Sequence, residues 1–166
     1  MAKRQAARPS ASSSSYKVGN VYTSPPLSLD GTHGFARADL EFHGVDHSGA
    51  SFEARVFVGN PNATAATAKT VGVGYAGSFH IFGHGGCFGD VGHCEIRAAR
   101  RPYDPRPSHP LTPARKVVIA TEVVRNALKK PEPLTVTVVP VITSTTPRCD
   151  VKNVLQFDRI AIVTYR

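Results

Sequence analysis

Two stretches of strict two-residue alternation constrain this chain more than anything else in it. Ala38, Leu40 and Phe42 alternate with Asp39, Glu41 and His43, and Phe52, Ala54, Val56 and Val58 alternate with Glu53, Arg55 and Phe57. Successive side chains of a strand point to opposite faces, so each stretch reads as a strand with one face turned to a core and one to water. The residues from Gly44 to Gly49 supply a turn, and the pair is expected to form a hairpin ended by Gly59-Asn60-Pro61. On this reading Asp39, Glu41 and Glu53 are solvated charges on the wet faces.

The same signal recurs downstream. Gly74 to Phe82 reads as a third strand, Lys116 to Ala120 as a short buried one, Leu134 to Thr143 as a β-branched one, and Val154 to Tyr165 as the last. Pro140 lacks a backbone donor and marks its strand as an edge or as bulged. One helix is expected, Glu122 to Lys130, with Thr121 as its N-cap, Val123, Val124, Ala127 and Leu128 on its apolar face, and Lys129 and Lys130 against its dipole. The segment from Arg100 to Pro113 holds Pro102, Pro105, Pro107, Pro110 and Pro113, which excludes regular structure and leaves an extended basic loop. The fold class that follows is mainly all-β: an antiparallel β-sandwich of six to seven strands, with one short α-helix at an end or side. Residues 36–166 form that domain. Residues 1–35, rich in Ser, Pro and Gly without periodicity, are expected to be a disordered or loosely packed arm, with short edge segments at 17–22 and 27–29.

No apolar run reaches the ~18 residues of a membrane span, and residues 1–15 lack the apolar centre of a signal peptide, so the expected setting is cytoplasmic. The net charge of +8 is unevenly placed. Residues 1–17 carry four basic groups and no acid; residues 95–130 carry nine basic against three acidic; the rest is slightly acidic. A tail and a loop with this charge, lacking interleaved aromatics or a known motif, argue against a nucleic-acid surface and suit an acidic protein partner. Arg97, Arg100 and Arg101, with Tyr103 as an anchor, are the candidate docking residues of the basic loop.

His80, His84, Cys87, His93 and Cys94 crowd into a glycine-rich stretch. Imidazole and thiolate are the donors that copper and zinc prefer, so these five are the candidate metal ligands. Their spacing lacks paired Cys-x-x-Cys knuckles, and two other readings stand beside the metal. Cys87 and Cys94 could close a small disulfide loop, against which the cytoplasmic setting argues. Alternatively, the glycines let the loop fold tightly while the cysteines pack as small apolar groups and the histidines make hydrogen bonds. A Cys nucleophile with His84 and Asp90 nearby has no supporting signature, and no catalytic residue is assigned.

Taken in order, Leu40-Glu41-Phe42-His43-Gly44, Phe52-Glu53-Ala54-Arg55-Val56-Phe57-Val58, Tyr75-Ala76-Gly77-Ser78-Phe79, Val123-Val124-Arg125-Asn126-Ala127-Leu128, Leu134-Thr135-Val136-Thr137-Val138-Val139-Pro140 and Ile160-Ala161-Ile162 form a recognisable succession. It resembles the C-terminal β-sandwich domain of tyrosinases, polyphenol oxidases and haemocyanins, over about residues 38–166. In that family the sandwich packs on a helical domain whose histidines hold two coppers, and it covers the entrance to them. This sequence has no counterpart of the helical domain, so the resemblance implies an accessory role rather than oxidase chemistry. The implied partner is a separately encoded tyrosinase-like copper domain, or further copies of this chain. Phe82 and Phe88 are the candidates for the side chain that enters the partner's copper opening.

Overall fold

The computed structural model of the protein describes residues 3–7, 21–27, 29, 34–85, 111–144 and 153–166. Among these residues eight strands run in the order β1 (Lys3–Ala7), β2 (Tyr22–Thr23), β3 (Arg37–Val45), β4 (Ser51–Val58), β5 (Tyr75–Ile81), β6 (Ala114–Ile119), β7 (Val136–Ser144) and β8 (Arg159–Tyr165), with helix α1 (Thr121–Ala127) between β6 and β7. They form two four-stranded sheets, β1-β8-β3-β6 and β2-β7-β4-β5, and every pairing is antiparallel. The expected antiparallel sandwich is what the chain forms. Two of its strands, β1 and β2, come from the segment before residue 36, where no alternation announces them; β1 takes its register from β8 and β2 from β7. No helix among the described residues is long and apolar enough to cross a membrane.

The inward faces are those that the alternation predicts. Leu40 and Phe42 of β3, Phe52 and Val56 of β4, Val136 and Val138 of β7, and Ile160 and Ile162 of β8 are buried in one cluster between the sheets. Phe42 meets Phe79 of β5 across the core at 4.9 Å between ring centroids, and meets Phe157 edge-on at 6.0 Å. Each such side chain contributes about 1.5–3 kcal/mol of burial.

The hairpin does not form. β3 pairs with β8 and β6, whereas β4 pairs with β7 and β5, so residues 46–50 carry the chain from one sheet to the other. Alternation tells which face of a strand looks inward, and a hairpin and an inter-sheet arch present the same alternation. Gly44 helps to set the arch: its φ is +67°, and a Cβ there would collide with the Asp158 carboxylate, whose backbone N–H donates to the His43 carbonyl at 2.9 Å.

Three further differences have physical causes. Thr121 does not cap α1; its Oγ1 accepts the backbone N–H of Ala38 at 3.0 Å, and Ala120 takes the N-cap position without a side-chain bond. The helix ends at Ala127, and Lys129 and Lys130 lie in the following turn. β6 is half buried, because it is the edge of its sheet: Val118 faces the core, while Val117 and Ile119 are exposed on the outer face. Around Pro140, β7 is an edge among the described residues, since β2 pairs only with Val138 and Thr137.

The carboxylates depart most from expectation. Asp39, Glu41 and Glu53 do lie on outer faces, yet they are 3%, 2% and 8% exposed. They sit on β3 and β4, each flanked by a strand on both sides, and long cationic side chains cover them. Over the outer face of β4 the connection after Gly59 builds a second small cluster of Phe57, Ala63 and Val139, with Val21, Tyr75 and Val141 packed against it.

Candidate functional site

The two ends of the sandwich differ. At one, α1 packs against β3, β4 and β5 and leaves a shallow groove of about 440 Å³ beside Gly59, Asn60 and Val71–Gly74, whose one ionisable side chain is Lys130. At the other, the chain leaves β5 at Phe82 and re-enters the sheets at β6, beside the arch from Asp46 to Ala50. That second end gathers the groups of chemical interest.

β5 delivers them by its alternation. Phe79 and Ile81 are buried, while His80 is exposed on the outer face opposite Glu53. The next residue, Phe82, is 86% exposed, the highest value among the large apolar side chains described. Its backbone is nonetheless held tightly, because the three residues after it are stitched along the arch. Gly83 N–H donates to Ser51 Oγ at 3.0 Å, His84 N–H to the His47 carbonyl at 3.0 Å, and Gly85 N–H to the Gly49 carbonyl at 2.9 Å. A Cβ on Gly83 would overlap the Gly49 carbonyl oxygen and the backbone of Ala50, so only glycine permits this approach.

The stitching also brings two imidazoles together from positions 37 residues apart. His47 Nδ1 lies 3.3 Å from His84 Nδ1, and the rings meet edge to face with centroids 5.0 Å apart. His47 Nε2 is 2.8 Å from the Thr112 carbonyl oxygen, which can only accept, so that nitrogen carries a proton. His84 Nδ1 is 3.2 Å from the His47 carbonyl oxygen. The arch itself is fixed by Asp46, whose carboxylate accepts from Ser48 N–H at 3.0 Å and from Ser48 Oγ at 2.8 Å. His47 thereby touches the start of the β5–β6 connection through His84 and its end through Thr112.

The three buried carboxylates form closed pairs. Glu53 accepts from Lys69 Nζ at 2.6 Å and Arg55 Nε at 2.9 Å; burial alone would raise its pKa, but hydrogen bonds from Lys69, Arg55 and Ser78 outweigh this and hold it at about 2. Arg55 also donates to the Ala65 carbonyl at 2.6 Å, tying the covering loop down. Glu41 accepts from Arg115 at 2.5 Å and contacts His43 Nε2 at 3.0 Å, and Asp39 is gripped by both Nε and Nη2 of Arg37. Carboxylates engaged in this way are poor general bases, and their arrangement serves the sheets.

Of the five candidate ligands, His84 meets another imidazole and His80 faces outward from β5; Cys87, His93 and Cys94 lie outside the described residues, as do Phe88, Arg97, Arg100, Arg101 and Tyr103. No group of three or more His, Cys, Asp or Glu among the described residues is placed to hold a metal ion. His47 escaped the sequence reading. It sits alone in a turn, and no spacing rule joins it to His84. Compared with known protein families and with curated proteins, the chain matches no family model and no curated sequence significantly.

Proposed function

We propose that this chain is a non-catalytic interaction domain, which docks through the Phe82 end of its sandwich onto a separately encoded tyrosinase-like dicopper protein and covers the opening of its metal site. One observation carries the reading: a large aromatic side chain, 86% exposed, stands on backbone that three hydrogen bonds hold against the arch. Leaving a phenyl ring in water is unfavourable for an isolated domain, and a pinned backbone lowers the ordering cost when a partner pocket receives it. Aromatic anchors of this kind dominate interface energetics. The sandwich fold and the order of motifs that resembles the tyrosinase tail support the choice of partner, and on this reading the two proteins meet in the cytoplasm. The basic residues from Arg97 to Tyr103 add charge attraction on this reading.

Titration calorimetry against a tyrosinase-like copper domain from the same genome tests the proposal. Saturable binding is expected, weakened by about 2 kcal/mol or more in Phe82→Ala, the loss typical of a central anchor. Equal affinity of Phe82→Ala and the parent chain refutes it. A concentration-dependent dimer that disappears in Phe82→Ala, seen by analytical ultracentrifugation without any copper protein, would replace the partner by a second copy.

A further inference from the structure

We infer that His47 and His84 form a two-imidazole zinc site at the foot of the β5–β6 connection. It stands independently of the docking reading, since it needs no partner and uses neither Phe82 nor the basic loop.

Distance comes first. A tetrahedral zinc with bonds of about 2.0–2.1 Å to nitrogen sets two of its ligand atoms about 3.3 Å apart, whereas bonds of that length at a right angle bring them to about 2.9 Å. His47 Nδ1 and His84 Nδ1 are 3.3 Å apart. The second observation is independent of the first. A ligating histidine characteristically donates its other ring N–H to a carbonyl or carboxylate, which fixes the tautomer that leaves the ligating nitrogen with a lone pair. His47 does this: its Nε2 donates to the Thr112 carbonyl at 2.8 Å, and the neutral tautomer with that proton turns a bare Nδ1 towards His84. In the metal-free protein a proton on His84 Nδ1 fills the gap, donating towards the His47 carbonyl at 3.2 Å; zinc takes the place of that proton.

The supporting backbone is rigid enough for chelation. His84 is fixed by its own N–H to the His47 carbonyl at 3.0 Å and flanked by the bonds of Gly83 and Gly85 to the arch. On this proposal water takes the remaining positions, which makes the site open and exchangeable rather than a closed structural one; among the described residues no third His, Cys, Asp or Glu joins the pair. Bound zinc would clamp the arch to residue 84 and stabilise the folded state by mass action.

Calorimetric titration of the whole chain with zinc chloride is the test, paired with long-range proton–nitrogen spectra of the imidazoles. Expected are one zinc per chain, a raised melting temperature with zinc, and a loss of affinity of about tenfold or more in His47→Ala and in His84→Ala, because chelation falls to a single point. His80→Ala retains the parent affinity, as does the variant in which Cys87, Cys94 and Cys149 are serine. The spectra should show zinc at Nδ1 of both rings, with the His47 Nε2 proton retained. Melting curves recorded without zinc establish that each variant is folded, and His84, being exposed, provides a substitution that leaves the core intact. Absence of zinc binding, an unchanged affinity in either single-histidine variant, loss of binding in the serine variant, or ligation through Nε2 overturns the inference.

Discussion

Replacing Glu53 by Gln separates the contribution of a buried ion pair from that of the sheet around it. The carboxyl is held at about 2 instead of 4.5, so charged Glu53 is bound more tightly by the folded chain than by the unfolded one. Because the folded value is depressed, the stabilisation is complete above pH 4.5, declines as the pH falls from there towards 2, and is gone below. At full strength such a difference amounts to about 3 kcal/mol. Lys69 is 44% exposed and its attraction is screened by water, so the expected contribution is about 1–2 kcal/mol. Gln keeps a hydrogen-bond acceptor for Arg55 but leaves that guanidinium, 18% exposed, without its counter-charge, which places the cost of Glu53→Gln near 2 kcal/mol at neutral pH.

Urea unfolding at a series of pH values from 2 to 7 reads this directly. Parent and variant are expected to differ by about 2 kcal/mol at pH 7, corresponding to about 4–8 °C in melting temperature for a chain of this size, and to converge as the pH approaches 2. Other acids titrate in the same window, so the difference between the two proteins carries the information. A difference that stays constant from pH 7 to pH 2, or none at all, refutes the argument that the Lys69 and Arg55 contacts dominate the ionisation of Glu53.

Phe42→Ala removes the ring that joins Phe79 to Phe157 in the core and should cost about 3–5 kcal/mol in urea unfolding, with the slope against urea unchanged. Thr121→Val keeps the shape but leaves the Ala38 N–H without its acceptor; a loss of about 1–3 kcal/mol is expected, whereas a helix cap replaced within α1 would show as reduced helicity by circular dichroism. Gly83→Ala drives a methyl group into the Gly49 carbonyl and should speed amide exchange at His84 and Gly85 while leaving exchange in β3 and β8 unchanged.

The inward faces were legible because a period of two is a direct image of strand geometry: each of Leu40, Phe42, Phe52 and Val56 is buried where the alternation puts it. What the period cannot encode is pairing. β3 and β4 follow one another with a turn between them and still belong to different sheets, since the choice depends on partners more than 60 residues away, such as β7 and β8. Burial of Asp39, Glu41 and Glu53 was hidden because alternation marks a face as outward without saying what lies over it; Arg37 and Arg55 fold back along their own strands, while Lys69 and Arg115 reach in from elsewhere in the chain. The strands β1 and β2 lack alternation of their own. The crowding of His and Cys after residue 80 was visible, but the imidazole that meets His84 was not, because contact between an arch and a strand end leaves no local signature.

The asymmetry of the sandwich supports the proposed role. At the α1 end, the apolar face of the helix carrying Val123 and Val124 is buried, and the N–H of Ala38 is satisfied by Thr121. At the arch end the backbone is as firmly bonded, through Ser51, His47 and Gly49, yet the side chains it supports, Phe82 and His84, face solvent. The hydrogen bonds stabilise the strand end, but exposing specific side chains on it adds nothing to the stability of the domain alone; a fixed backbone lowers the entropy lost when those side chains engage something else. The proposed docking by Phe82 and the proposed zinc chelation by His84 both depend on Gly83, the residue whose missing side chain allows the strand end to lie against the arch. Gly83→Ala should therefore weaken partner binding and zinc binding together while Phe82→Ala affects only the first, and His84→Ala only the second.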